Sequence, residues 1–250
     1  MTHSATRPVV LFDWGETLMW IPGMIHDPDA HVACLARVYD GSMMQGLREA
    51  NVTLPFAQFR PHYLAACAAQ IRQSKQSQRE HSFADRFAMA FSMAQVSVPP
   101  RELLDALADA LGEEVTREAR LLADSAEVIP QLAQHYRLGV VSNYPHGPVV
   151  SATLARFNLL QYFEVVVVSS ETGWMKPHGE CFAPALAAMQ AVPSRTLYVG
   201  DDFNNDVRGG KALGLHTAWL APSAQNVPAE VDVHLRTLAE LPAHCARLFS

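Results

Sequence analysis

Apolar residues fall along this chain in two rhythms. Short unbroken runs recur near both ends: PVVLF at 8–12, LGVV at 138–141, FEVVVV at 163–168, LYV at 197–199, HTAWLA at 216–221 and VDVHL at 231–235. Unbroken runs, as opposed to alternating ones, mark strands covered on both faces, as in a parallel sheet. Helical spacing fills the gaps at 125–136, 148–157, 178–190 and 205–213. Strand, helix, strand, helix is the rhythm of a doubly wound α/β domain.

Residues 20–122 break that rhythm. HVACLARVYDGSMMQGLREA, AQFRPHYLAACAAQIRQSKQ, SFADRFAMAFSMAQ and RELLDALADALG all carry helical spacing, with breaks such as Leu54-Pro55 and Pro99-Pro100 between them. The chain is therefore predicted to form an α/β core from 1–19 and 123–250, with a smaller all-helical domain at 20–122. A helical insert after the first strand reads as a cap over the sheet's C-terminal edge, where open α/β sheets place their ligands.

Composition narrows the class. With 250 residues, 49% of them hydrophobic, the chain can bury a sizeable core. A net charge of −6 argues against a nucleic-acid surface, which would need a basic patch. It also means that an anionic substrate would require local positive charge from a metal, a lysine or helix N-termini. No stretch approaches the roughly 20 uncharged apolar residues that span a bilayer. MTHSATRPVVLFD leaves no room for a signal peptide, and Cys34, Cys67, Cys181 and Cys245 form no CxxC pair. A cytoplasmic location, with no disulfide framework or zinc site, is the expectation. Oligomeric state is left open.

Four polar features sit just past strand ends. Asp13-Trp14-Gly15-Glu16-Thr17 places a carboxylate at a strand tip, where it can act as a nucleophile or a metal ligand. Ser142-Asn143 offers a hydroxyl and an amide to hold a substrate oxygen. Lys176, in GWMKPHGECF, can neutralise charge on nucleophile and substrate. Gly200-Asp201-Asp202-Phe203-Asn204-Asn205-Asp206 gathers three carboxylates on a strand-to-helix loop, which suits a hard cation.

The order D-x-x-x-T-L, S-N, K-P-H and G-D-D-x-x-x-D resembles the four motifs of the haloacid dehalogenase-like (HAD) hydrolases, from Asp13 to Asp206. The helical insert stands where that superfamily carries its first type of cap. The resemblance implies a magnesium-dependent hydrolase acting on a small phosphorylated or other anionic metabolite. Asp13 would be the nucleophile and a magnesium ligand, and Ser142 would hold the phosphoryl group with Asn143 nearby. Lys176 would stabilise Asp13 and the developing charge. The Gly15 carbonyl and Asp201 would bind Mg2+, Asp206 would ligate through water or pair with Lys176, and Asp202 is a candidate for either acidic role.

One position departs from the pattern. Phosphatases of the superfamily usually carry a second aspartate, the general acid, two residues after the nucleophile; here that residue is Gly15. General acid catalysis typically contributes about 100- to 10,000-fold, so its loss matters least for good leaving groups such as acyl or aryl phosphates. Glu16 is the available substitute, although adjacent residues leaving a strand point different ways. Dehalogenases and phosphonate hydrolases also lack this acid, as would a chain kept only to bind phosphorylated ligands. The acidic trio favours magnesium and phosphate over the metal-free dehalogenase chemistry. The phosphonate chemistry needs a cap lysine, and the insert offers only Lys75 in the polar run QSKQSQRE.

The remaining polar residues read as structural. His26 and His31 have the wrong spacing for a shared metal, Trp14 is expected to pack in the core, and His146 and His178 flank the motifs. Arg60, Arg72, Arg79 and Arg86 read singly as surface charges.

Overall fold

The computed structural model describes residues 7–23, 27–41 and 44–250; His26 lies outside them. Among the described residues the strands are β1 Val9–Phe12, β2 Met19–Trp20, β3 Arg120–Leu121, β4 Arg137–Ser142, β5 Phe163–Val168, β6 Thr196–Gly200, β7 His216–Leu220 and β8 Val233–Leu235. The helices are α1 Pro28–Asp40, α2 Met44–Glu49, α3 Phe56–Ser77, α4 Phe83–Met93, α5 Arg101–Glu118, α6 Ser125–Ala133, α7 Gly147–Arg156, α8 Ser169–Thr172, α9 Gly179–Ala188, α10 Gly209–Ala212 and α11 Leu241–Leu248.

Six strands build one parallel sheet in the order β5-β4-β1-β6-β7-β8. The unbroken apolar runs explain it. Val9 to Phe12 of β1 and Leu197 to Val199 of β6 are buried, as sheet strands covered by helices on both faces require. From β1 the chain steps outward through β4 and β5, then crosses back to β6 and continues through β7 and β8. The order thus reverses at β1, and a ligand crevice is expected beyond the strand ends there.

The chain divides into two compact units, one ending at Trp20 and resuming over Arg120–Ser250, the other Ile21–Ala119. The sequence boundaries of 20 and 122 differ slightly, because Met19–Trp20 pairs antiparallel with Arg120–Leu121 and so belongs with the sheet unit. The Leu122 N–H and the Ser125 hydroxyl both donate to the Leu18 carbonyl, fastening the returning chain at 3.0 and 3.2 Å.

The second unit carries α1 to α5. The Ser82 hydroxyl and the Asp85 carboxylate cap α4 reciprocally. Its core is aromatic, with Tyr39, Phe59, Phe87 and Phe91 in ring contact. All four cysteines are free and buried. No helix among the described residues is long and apolar enough to cross a membrane.

Candidate active site

Three neighbouring strand ends bring the chemistry together. Asp13 follows β1, Ser142 ends β4 on one side of it, and Asp201 follows β6 on the other. The Asp13 N–H donates to the Val199 carbonyl at 2.8 Å, which extends the β1–β6 ladder by one residue and fixes the Asp13 backbone.

Lys176 reaches the same point from the loop between α8 and α9. Its ammonium is buried, donates to Asp206 Oδ1 and the Tyr198 hydroxyl at 2.8 Å each, and pairs as an ion with Asp13 Oδ1, also at 2.8 Å. Burial alone would lower its pKa, but Asp13 and Asp206 outweigh that and hold it well above the ordinary lysine range. The Tyr198 O–H in turn donates to the Val141 carbonyl at 2.6 Å, immediately before Ser142. One phenol therefore ties the lysine to the strand that carries the serine.

Asn143 differs from its expected place at the substrate. Its Oδ1 accepts from the Lys176 N–H at 2.7 Å and its Nδ2 donates to the Lys176 carbonyl at 3.1 Å. Both ends of the amide are engaged in holding the lysine loop. Asp202 is also occupied elsewhere, because its carboxylate accepts from the N–H groups of Asn204 and Asn205 and caps the π-helical turn Phe203–Arg208. That turn and α10 together replace the single helix expected over 205–213.

Asp206 is buried, with Oδ1 on Lys176 and Oδ2 accepting from the Asp202 N–H at 2.9 Å. A Cβ at Gly200 would collide with this carboxylate, so only glycine lets it lie so close to β6. The Asp201 carboxylate accepts from the Thr17 hydroxyl at 3.3 Å, and its carbonyl accepts from the Trp219 indole at 2.8 Å.

Carboxylate oxygens of Asp13, Asp201 and Asp206 lie within 4.8 Å of one another, with one ammonium between them. Burial, then the Asp13 and Asp206 charges, push Asp201 up to about 8. Burial, with Asp13 opposing Lys176, pushes Asp206 up to about 7. Full ionisation of the three carboxylates would therefore leave more negative charge than one lysine offsets. An all-oxygen donor set with surplus negative charge fits a hard divalent cation.

Gly15 pairs with Met19 in an isolated bridge, and Glu16 adopts a left-handed φ of 57° with its N–H on the Met19 carbonyl at 2.7 Å. Glu16 lines a cleft of about 670 Å³ beside Thr17, Asp201 and Trp219, and Asp13 is absent from that lining.

The other candidates are structural. Trp14 is fully buried, donating to the Thr153 hydroxyl at 3.0 Å and packing edge-on to Tyr144. His178 caps α9 through Nδ1 and stacks on Trp174 at 3.9 Å. His31 is buried in the helical unit, whereas Lys75, Arg60, Arg72 and Arg79 are exposed.

Residues 62–220, well over half of the chain, match the family described as haloacid dehalogenase-like hydrolase. The chain belongs to that family. It is 31% identical over 145 residues to a ribulose-1,5-bisphosphate 5-phosphatase of Halopiger xanaduensis, covering 58% of this chain and 60% of the relative. It is 31% identical over 127 residues to the pyrimidine 5'-nucleotidase YjjG of Escherichia coli, covering 50% and 54%. The chain thus spans little more than half the length of these curated relatives.

Among solved structures, the 2-haloacid dehalogenase of Pseudomonas syringae pv. Tomato superposes with a TM-score of 0.70 at 19% identity, covering 97% of this chain and 99% of that one. The magnesium-bound HAD-hydrolase YfnB of Bacillus subtilis superposes with a TM-score of 0.65 at 20% identity, covering 96% and 99%. At these identities the likeness is one of fold.

Proposed function

We propose that this HAD-like hydrolase is a magnesium-dependent phosphatase that acts through an aspartyl-phosphate on Asp13, with a small phosphorylated metabolite as substrate. One observation carries the reading: Asp13 sits in a trio of carboxylates with Asp201 and Asp206, whose raised proton affinity calls for a cation, while Lys176 pairs with one Asp13 oxygen. Several relatives named as phosphatases, including the two above and a glyceraldehyde 3-phosphate phosphatase of Methanothermobacter thermautotrophicus, lend support.

Asp13, Asp201 and the Gly15 carbonyl would hold the ion. Asp206 would reach it through water, since both of its oxygens already accept hydrogen bonds. Magnesium there supplies charge neutralisation at the phosphoryl oxygens. The free Asp13 oxygen attacks phosphorus as the P–O bond to the leaving group breaks. Water then attacks the aspartyl-phosphate at phosphorus to release phosphate and restore the carboxylate. Lys176 offsets the negative charge gathering on carboxylate and phosphoryl group. The Ser142 hydroxyl, at the tip of β4, would donate to a phosphoryl oxygen.

Gly15 leaves no side-chain carboxyl at the usual general-acid position, so the best substrates are expected to be those whose leaving group departs without a proton, acyl and aryl phosphates among them. A screen of phosphorylated metabolites and aryl phosphates, with and without Mg2+, tests this. Metal-dependent phosphate release is expected; metal-independent dehalogenation of a 2-haloacid would overturn it.

The raised carboxylates set a pH dependence. A carboxyl bound more tightly to its proton when folded contributes stability at low pH, lost as pH rises through the folded value. The metal-free protein should therefore lose stability as pH rises through about 7 and 8, the values of Asp206 and Asp201. Mg2+ binds the ionised form, so it should raise the Tm most at the alkaline end. Calorimetry across pH with EDTA or Mg2+ checks both signs; a flat metal-free profile would contradict them.

Tyr198→Phe should lower kcat about 10- to 100-fold by letting the ammonium shift off its aim. KM for a small aryl phosphate should stay within about twofold, since the phenol touches no substrate. Steady-state kinetics separates the two; a change confined to KM would count against this role.

A further inference from the structure

Arg86 reads in the sequence as a surface charge, yet the structure buries it. On α3, Tyr63, Cys67, Gln70 and Ser74 recur at intervals of four, three and four residues, which lines them along one helical face. All four are buried, and Arg86 of α4 and His31 of α1 meet this row. Arg86 is 8% exposed, Gln70 and His31 2% each.

The hydrogen-bond directions can be read in sequence. His31 Nδ1 lies 3.0 Å from the Pro22 carbonyl, which can only accept, so Nδ1 carries the proton. Burial, and then the Arg86 charge, lower His31 to about 4, which keeps the ring neutral. Nε2 must then accept from the Tyr63 O–H, 3.0 Å away. The Tyr63 oxygen is left to accept from Arg86, whose Nε donates to Gln70 Oε1 at 2.9 Å.

No negative charge in this row balances the guanidinium, which lies 5.2 Å from the centre of the Phe83 ring. Burial raises both the Tyr63 phenol and the Cys67 thiol, so both stay protonated. No carboxylate lies within ion-pair distance of Arg86 among the described residues, although the Glu80 charge acts on it. Gln70 Nε2 is a buried donor with no acceptor. The cluster thus has one positive charge too many and one acceptor too few. A buried charge without a partner is rare in structural cores, and a planar guanidinium is suited to bidentate oxyanions.

We propose that this row of the helical unit is a binding site for a small oxyanion, a carboxylate or phosphate group, held by the Arg86 guanidinium and the Gln70 amide. The site stands on its own residues and is independent of the chemistry proposed for Asp13.

The test measures the Tm of the full chain, free of metal, in sodium acetate and in inorganic phosphate, against sodium chloride of matched ionic strength. A saturable rise is expected with one or both anions, since a ligand that binds only the folded state stabilises it by mass action. Ser142→Ala should keep that rise, and Arg86→Met should weaken the apparent affinity by about tenfold or more. Gln70→Glu should behave differently from a lesion. It places a carboxylate beside the guanidinium, so it should raise the Tm in chloride alone and abolish the anion response. A merely structural Gln70 would make the same change destabilising, because it would bury an unneeded charge. No saturable rise in the parent protein, an unchanged rise in Arg86→Met, or a lower Tm for Gln70→Glu would each overturn the proposal. If Arg86→Met fails to fold, Gln70→Glu decides.

Discussion

Asp13→Asn should lower phosphatase turnover by about ten-thousand-fold or more and leave the metal-free protein at least as stable as the parent. The activity loss follows from removing a covalent nucleophile, for which residual rates reflect only binding and electrostatics. The stability gain follows from charge. Asp13 is the second largest cause, after burial, of the raised Asp201 value, and it also raises Asp206. Neutralising it relieves both, while Lys176 keeps Asp206 and Tyr198 as acceptors. A site assembled for function stores such strain, so the lesion that ends catalysis should ease the fold. Phosphate release and calorimetry in EDTA measure the two effects. A variant retaining turnover, or markedly less stable without metal, would contradict this balance.

Lys176→Met should fail on both counts. It removes the one cation from a cluster of three carboxylates and leaves Asp206, 1% exposed, as an unpaired buried charge. Breaking a buried pair on one side typically costs about 3–5 kcal/mol. The loss should shrink at low pH, because Asp201 and Asp206 can then take up protons in place of their lost partner. Activity should fall about 100-fold or more, on the scale of deleting one fixed donor from a charge-stabilising site. Asp13→Asn and Lys176→Met should thus move stability in opposite directions while both suppress catalysis. Denaturant unfolding at pH 5 and pH 8 makes the comparison; equal losses at both values would mean that the lysine's charge is not what stabilises the site.

The strands were legible because each is an apolar run buried on both faces, and the four polar features were legible because each follows such a run. What they touch was not. Tyr198 lies inside the apolar run of β6, where an aromatic residue reads as core, and only the fold carries its hydroxyl past β1 to Lys176 and Val141. Asn143 and Asp202 were visible as polar residues in the right motifs, but their use as a clamp on the lysine loop and a helix cap depends on backbone turns that spacing does not encode. Thr17 was quoted within its motif without a role, and its bond to Asp201 joins residues 184 positions apart. Arg86 reads as solvated because it is charged, although Phe83, Phe87 and Ala90 share its buried face of α4, and the row that encloses it comes from α3.

The most direct test of the phosphatase mechanism is mass spectrometry of acid-quenched protein after brief reaction with an aryl phosphate in Mg2+ and 18O-water. The mechanism predicts one phosphoryl group on the peptide that holds Asp13, absent in EDTA and in Asp13→Asn, with the label appearing in released phosphate and never in the Asp13 carboxylate. A phosphate-releasing protein that never carries the phosphoryl group, or that incorporates the label into Asp13 as hydrolysis of a carbon ester would, would contradict it.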